Sequence, residues 1–288
     1  MTERLVGLLG ATSLLGERLI PHLVAGGYRV CAFSRAAQPR DAGDVVWRQL
    51  CSASVQEHGT IVHWVCVAPI WVLPDYYELL ERAGAHRIVA LSSTSRFTKR
   101  ASSDAAEIAL AARLADAEEQ LRAWAASKAI DTVILRPTLI YGRGRDKNIT
   151  EIARFVRRFG FFPVFGPALG LRQPVHVDDL AATCVAALQL PAAPNLAYNL
   201  SGAETLSYRD MVAGVFAALG RRPRLLAVPL WAFRLAVAVL RRVPRYAHWS
   251  VAMAERMNQD LVFDHGDAAR DLAFAPRRFV LAPDDVPS

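Results

Sequence analysis

The sequence predicts an α/β fold, a doubly wound parallel sheet with a smaller C-terminal α/β lobe. Three observations carry this. Short, near-continuous apolar runs alternate with helix-patterned stretches over the first half of the chain, as strands buried on both faces do. The first run ends in a glycine turn that opens a helix. Beyond residue 160 the alternation loosens into proline- and glycine-bearing loops between shorter elements. With 288 residues, 53% of them hydrophobic and 21% charged, the chain is long enough to bury a large core.

The organising stretch is Leu5 to Ile20, LVGLLGATSLLGERLI. Gly10, Ser13 and Gly16 keep a G-x-x-G-x-x-G spacing with serine in the middle place. Gly10 allows the backbone to turn, Gly16 lets helix approach strand, and Ser13 caps the helix with its hydroxyl. Such a turn aims free backbone N–H groups and the positive end of a helix dipole at a pyrophosphate. Gly10, Thr12, Ser13, Leu14, Leu15 and Gly16 are therefore assigned to a dinucleotide. An ordinary βα turn without ligand is the competing reading.

The second strand, Tyr28 to Phe33, ends at Ser34-Arg35. An acid there would hold the adenosine ribose hydroxyls, whereas arginine accommodates a 2′-phosphate. Ser34 and Arg35 thus point to NADP, with NAD as the alternative; a solvated surface arginine is the plain counter-reading. Val45 to Trp47 reads as a third strand and Thr60 to Val67 as a buried fourth, whose end places Ala68 against the cofactor. Asp75 to Ala83 is a crossover helix. Arg87 to Leu91 is the fifth strand and runs into Ser92-Ser93-Thr94-Ser95. Hydroxyls at a strand's carboxyl end lie where substrate and nicotinamide meet in such sheets, although turns use the same residues.

Ser103 to Ser127 is a long alanine-rich helix carrying Ala117-Glu118-Glu119, and Thr132 to Leu135 is the sixth strand, followed by Arg136-Pro137-Thr138-Leu139-Ile140-Tyr141-Gly142. Asn148 to Phe159 is helical and Phe161 to Gly170 a loop. Pro174-Val175-His176-Val177-Asp178-Asp179-Leu180 opens another helix, its carboxylates complementing the helix dipole. Tyr198 to Gly202 is a short strand and turn, and Ser207 opens a helix to Leu219. The expected division is a Rossmann-like NAD(P)-binding domain over 1–160 and a substrate or partner lobe over 161–288, with interleaving allowed.

Thirty-one of the 34 basic residues are arginine, and the formal charge is +7. No basic stripe with interleaved aromatics is present, which argues against nucleic acid. No apolar run reaches the ~20 residues of a membrane span, and the chain enters its first strand at once, so a cytoplasmic protein without a signal peptide is expected. Cys31, Cys51, Cys66 and Cys184 form no C-x-x-C pair and read as free thiols, with no metal site.

Taken together, LLGATSLLGERL, ALSSTS, LRPTLIYGRG and QPVHVDDLA resemble, in order and spacing, the extended short-chain dehydrogenase/reductase family, the NAD-dependent epimerases and dehydratases of nucleotide sugars. The resemblance covers roughly residues 4 to 215. It implies a bound NAD(P), a small-molecule substrate such as a nucleotide sugar, Ser93 in the place of the catalytic serine or threonine, and Pro137 in the segment lining the nicotinamide pocket. Family chemistry also rests on a tyrosine that moves a proton and a lysine four residues later that lowers its pKa. Alignment on Ala117-Glu118-Glu119 puts Leu110 and Leu114 at those places. Ser13 replaces the central glycine, and Cys51-Ser52 the acid expected near the adenine. Tyr141 and His176 are the remaining candidates for proton transfer.

Two functions follow: an NAD(P)-dependent oxidoreductase or epimerase with an altered site, or a non-catalytic dinucleotide-binding subunit like the accessory subunit of respiratory complex I. Residues 221–245 hold seven arginines and no acid around the apolar run Leu225 to Leu240. That pattern suits an ordinary lobe helix, and equally a peripheral membrane or protein contact or a pair of phosphate-holding arginines.

Overall fold

The computed structural model describes residues 4–38, 41–50, 59–191, 195–231, 233 and 251–287. Seven parallel strands form one sheet, in the order β3 (Val45–Gln49), β2 (Tyr28–Ser34), β1 (Arg4–Leu9), β4 (His63–Cys66), β5 (Arg87–Leu91), β6 (Asp131–Pro137) and β11 (Leu196–Leu200). The order reverses between β1 and β4, so the ligand crevice of such sheets falls at the carboxyl ends of these two strands.

Alternation along the strands divides the core. Val6, Leu8, Val30, Ala32, Val65 and Val89 face one side, packing against α1 (Leu14–Ala25) and α6 (Val177–Leu188). Leu9, Phe33, Trp64, Cys66, Ile88 and Ala90 face the other, against α2 (Tyr77–Arg82) and α4 (Ala105–Ser127). Gly7 makes this second face possible, because a Cβ there would stand 2.4 Å from the Trp64 ring. Cys31, Cys66 and Cys184 are free and buried.

Several elements depart from expectation. The fourth strand is ordered as β structure only over His63–Cys66, although the apolar run begins at Thr60. A 3₁₀ segment, Ile70–Tyr76, precedes α2, since Pro74 supplies no N–H for a regular first turn. Within the expected loop Phe161–Gly170, β8 (Phe162–Phe165) pairs in parallel with β13 (Leu225–Val228), a partner 63 residues away that local pattern does not reveal.

The chain also interleaves across residue 160. Ahead of that point, α5 (Ile149–Phe159) packs with α7 (Tyr208–Ala218) in a core of its own that also takes in Tyr141. After it, α6, β11 and α9 (Gly266–Leu272) return to the sheet's core. The lobe is completed by α8 (Val251–Arg256), by the two-stranded pairs β7 (Ile140–Tyr141) with β10 (Val175–His176) and β9 (Leu171–Arg172) with β12 (Leu206–Ser207), and by β8 with β13. Among the described residues no helix is long and apolar enough to cross a membrane, and no cluster of three metal-ligating side chains occurs.

Candidate functional site

The turn between β1 and α1 is packed to the limit of backbone contact. Gly10 has φ +86°, and a Cβ on it would lie 2.5 Å from the Ala68 nitrogen. A Cβ on Gly16 would lie 2.3 Å from the Gly10 carbonyl oxygen. The Ser13 hydroxyl accepts the Gly16 N–H at 3.0 Å and so caps α1. Thr12 is exposed and Leu14 half-buried, while Leu15 is 4% exposed and belongs to the core. The first-turn amides of Leu14 and Leu15 have no partner within the helix and stand at the crevice between β1 and β4. A diphosphate fits this arrangement of amides, dipole and absent side chains.

At the end of β2 the Ser34 hydroxyl is buried, accepting the Ala36 N–H at 3.3 Å and a Gln38 amide hydrogen at 3.2 Å. Arg35 is exposed and forms no ion pair among the described residues. The Cys51-Ser52 position expected near the adenine lies outside the described residues.

Ala68, Trp71, Ser92, Ser93, Leu110 and Leu114 line one cavity of about 260 Å³ beside this turn. The contact of Gly10 with Ala68 joins cavity and turn. None of the residues lining the cavity titrates below alkaline pH. The Ser93 hydroxyl accepts the Ser95 N–H at 3.1 Å, which leaves its own proton for a ligand. Leu110 and Leu114, one turn apart on one face of α4, line the same cavity.

Behind the cavity lies a cluster that sequence reasoning did not assign. Glu118 is completely buried and accepts the Ser92 hydroxyl at 2.5 Å and Arg136 at 2.5 and 3.1 Å, with Arg96 as a further ion-pair partner. Burial opposes its ionisation, but the bonds from Arg136 and Ser92 and the charges of Arg136 and Arg96 outweigh this and hold its pKa below the ordinary value. The signal was available: Leu114, Glu118, Leu121 and Ala125 share a helix face, and an acid alone in an apolar stripe implies a buried cation. Pro137 is buried at the end of β6, its carbonyl accepting the Thr94 N–H at 3.1 Å and hydroxyl at 3.2 Å, so it fixes the serine turn and stands back from the cavity lining.

The structure places Tyr141 and His176 away from Ser93, outside the cavity lining, among structural contacts. His176 Nδ1 accepts the Asp178 N–H at 3.1 Å and caps α6, so the ring proton sits on Nε2, donated to Asp285 at 3.1 Å. Tyr141 is fully buried against His176 and Phe279, and burial raises its pKa far above the ordinary value. Asp178 and Asp179 do more than complement the helix: Asp178 pairs with Arg18 of α1 at 2.6 Å, and Asp179 with Arg277 at 2.8 Å.

Residues 76–201 match the model of the NAD dependent epimerase/dehydratase family. The match takes in β5, α4, β6 and α6 and ends in the turn after β11. Among its relatives, UDP-glucose 4-epimerase of Vibrio cholerae is 30% identical over 42% of this chain and 37% of its own length. NADH dehydrogenase [ubiquinone] 1 alpha subcomplex subunit 9 of Arabidopsis thaliana is 28% identical over 42% of this chain and 31% of its own. The matched part therefore spans about a third of each of these two relatives. 2-alkyl-3-oxoalkanoate reductase of Stenotrophomonas maltophilia is 25% identical over 73% of this chain and 74% of its own. In fold, the crystal structure of UDP-glucuronic acid 4-epimerase from Bacillus cereus in complex with NAD superposes with a TM-score of 0.72 at 15% identity, covering 98% of this chain and 94% of that one.

Proposed function

We propose that the protein holds a nicotinamide dinucleotide at the Gly10–Gly16 turn and binds a nucleotide sugar or similar alcohol or carbonyl compound beside Ser93, without conventional proton transfer. The carrying observation is that Leu110 and Leu114 line the same cavity as Ser93. A bound dinucleotide supplies a hydride acceptor or donor. The chain's own residues supply a hydrogen-bond donor in Ser93 and apolar walls that exclude water. An unassisted serine has little tendency to give or take a proton at neutral pH, so a substrate oxygen is oriented there without being activated. The match to the epimerase/dehydratase family model and the UDP-glucose 4-epimerase relative support the ligand class.

NADP is the preferred cofactor in this reading, because the exposed Arg35 guanidinium is available to a 2′-phosphate and no carboxylate at the end of β2 repels it. Arg35→Ala is expected to weaken NADP binding and leave NAD binding unchanged. Equal loss for both, or an initial preference for NAD, overturns the choice.

A thermal-shift comparison of NAD, NADH, NADP and NADPH, followed by UDP-sugars with each, tests the whole. A ligand at about 100 times its Kd adds ~2.7 kcal/mol of stability. Stabilisation by a dinucleotide together with unchanged nicotinamide absorbance in the presence of UDP-sugars is the expected result; no stabilisation by any dinucleotide rejects it. The subunit reading, which the Arabidopsis thaliana relative favours, shares the dinucleotide and differs in lacking a sugar-induced shift.

A further inference from the structure

On the far side of the lobe, α5 ends in Arg157, Arg158 and Phe159, all exposed. The segment after α7 is tied to the same place: Arg221 donates to the Val156 carbonyl at 2.9 Å, and Phe162 donates its N–H to the Arg224 carbonyl at 2.9 Å. Exposed Arg221, Arg222 and Arg224 therefore stand next to the end of α5. Among the described residues Arg157, Arg158, Arg222 and Arg224 form no ion pair.

Large apolar side chains project from the same segments. Phe159 is 51% exposed, Leu226 on β13 is 54% exposed, and Trp231 is 72% exposed. The Arg158 guanidinium lies 5.2 Å from the centre of the Phe159 ring. The edge of α5 that carries Arg154, Arg157 and Arg158 also walls a cleft of about 770 Å³, whose other charged lining residues, Arg143, Arg145 and Asp284, are ion-paired, Arg143 with Asp284 and Arg145 with Glu17, as Arg154 is with Glu151, so that Arg157 and Arg158 are its unpaired cations among the described residues. In the sequence, residues 232–245 hold Arg234, Arg241, Arg242 and Arg245 and no acid.

We propose that this face docks the protein on an anionic phospholipid surface, with Phe159, Leu226 and Trp231 entering the headgroup and acyl boundary and the arginines pairing with lipid phosphates. Unpaired cations and exposed aromatic and aliphatic side chains on one face are what interfacial binding requires, one for attraction and the other for partitioning. A second copy of the chain is disfavoured as occupant, because two such faces would set arginine against arginine. Nucleic acid would use the cations but leave Leu226 and Trp231 in water.

The test is sedimentation of the full chain with vesicles of phosphatidylcholine alone and of phosphatidylcholine with phosphatidylglycerol. Binding to the anionic vesicles only, weakened by added salt, is expected. Arg157→Glu with Arg158→Glu is expected to weaken it about tenfold or more, at about 1 kcal/mol per basic residue near the surface, in a protein whose far-UV circular dichroism is unchanged. Trp231 should be quenched by brominated acyl chains, and the quenching should disappear in Trp231→Phe. Equal binding to both vesicle types, no binding to either, binding unaffected by the charge reversal, or displacement from the vesicles by RNA each overturns the proposal. Its outcome is independent of dinucleotide binding, which involves the Gly10–Gly16 turn after β1, whereas β8 and β13 form a separate two-stranded sheet.

Discussion

Glu118 illustrates how a single residue links the fold to the site. Its carboxylate has no contact with water, and three partners, Ser92 and Arg96 after β5 and Arg136 on β6, converge on it, so it fixes the serine turn against α4. Glu118→Gln leaves two guanidiniums short of their counter-ion. The guanidiniums keep some solvent contact, so the expected cost lies near the low end for a broken buried pair, about 3 kcal/mol, measurable by urea denaturation at pH 7. The sign of the pH effect follows from the depressed pKa. Stability supplied by the ionised carboxylate is complete above the unfolded value of about 4.5 and is lost as pH falls through the lower folded value. The gap between wild type and Glu118→Gln should therefore be full at neutral pH and close below about 4.5; a gap independent of pH would mean that Glu118 contributes by packing alone.

Elements near the site are positioned by their ends. α1 begins where the chain has no room for a Cβ, so Gly16→Ala must push α1 away from the Gly10 carbonyl. Dinucleotide-induced stabilisation should disappear in this variant while its helical circular dichroism persists; an unchanged thermal shift would mean that the turn does not hold the nucleotide. α6 begins at His176, whose two ring nitrogens cap the helix and hold the C-terminal segment at Asp285. Asp285 also accepts the backbone N–H groups of Arg143 at 3.1 Å and Ala282 at 2.9 Å, so its removal strands several donors. Asp285→Ala is expected to cost about 2 kcal/mol and to raise hydrogen exchange at the first turn of α6 and over residues 279–287. These ends were only partly legible in the sequence. Glycine turns, serine caps and apolar runs are local, and they place β1, α1, β2, β5, β6 and α7 within a few residues. The pairing of β8 with β13 and the return of α6 and β11 to the main sheet depend on contacts between distant segments, which local pattern does not encode. The role of His176 escaped for the same reason: a histidine inside a motif looks available until Asp285, 109 residues later, is seen to occupy it.

At the scale of the whole molecule, the proposed site combines a crevice at the carboxyl ends of β1 and β4, the Ser93 hydroxyl and a glycine turn suited to an anion, and its lining holds no acid, histidine, tyrosine or lysine. A positioned base for the hydroxyl proton is worth typically ~10²- to 10⁴-fold in rate. In the proposed site Leu110 and Leu114 line the same cavity as Ser93, and an apolar side chain carries no exchangeable proton. Tyr141 and His176 are already committed to the lobe core and to the α6 cap. Little or no turnover of common UDP-sugars is therefore expected from the unmodified protein. Leu110→Tyr alone should introduce a phenol of nearly ordinary acidity, giving hydride transfer only at alkaline pH. Adding Leu114→Lys places a cation one helical turn away and should draw the activity toward neutrality, at some cost in stability because Leu114 is only 4% exposed. The pH–rate profiles of the two variants, followed by nicotinamide absorbance, check this. Robust activity of the unmodified chain on a UDP-sugar would overturn it, and Tyr141→Phe and His176→Gln would then show which buried group the protein recruits.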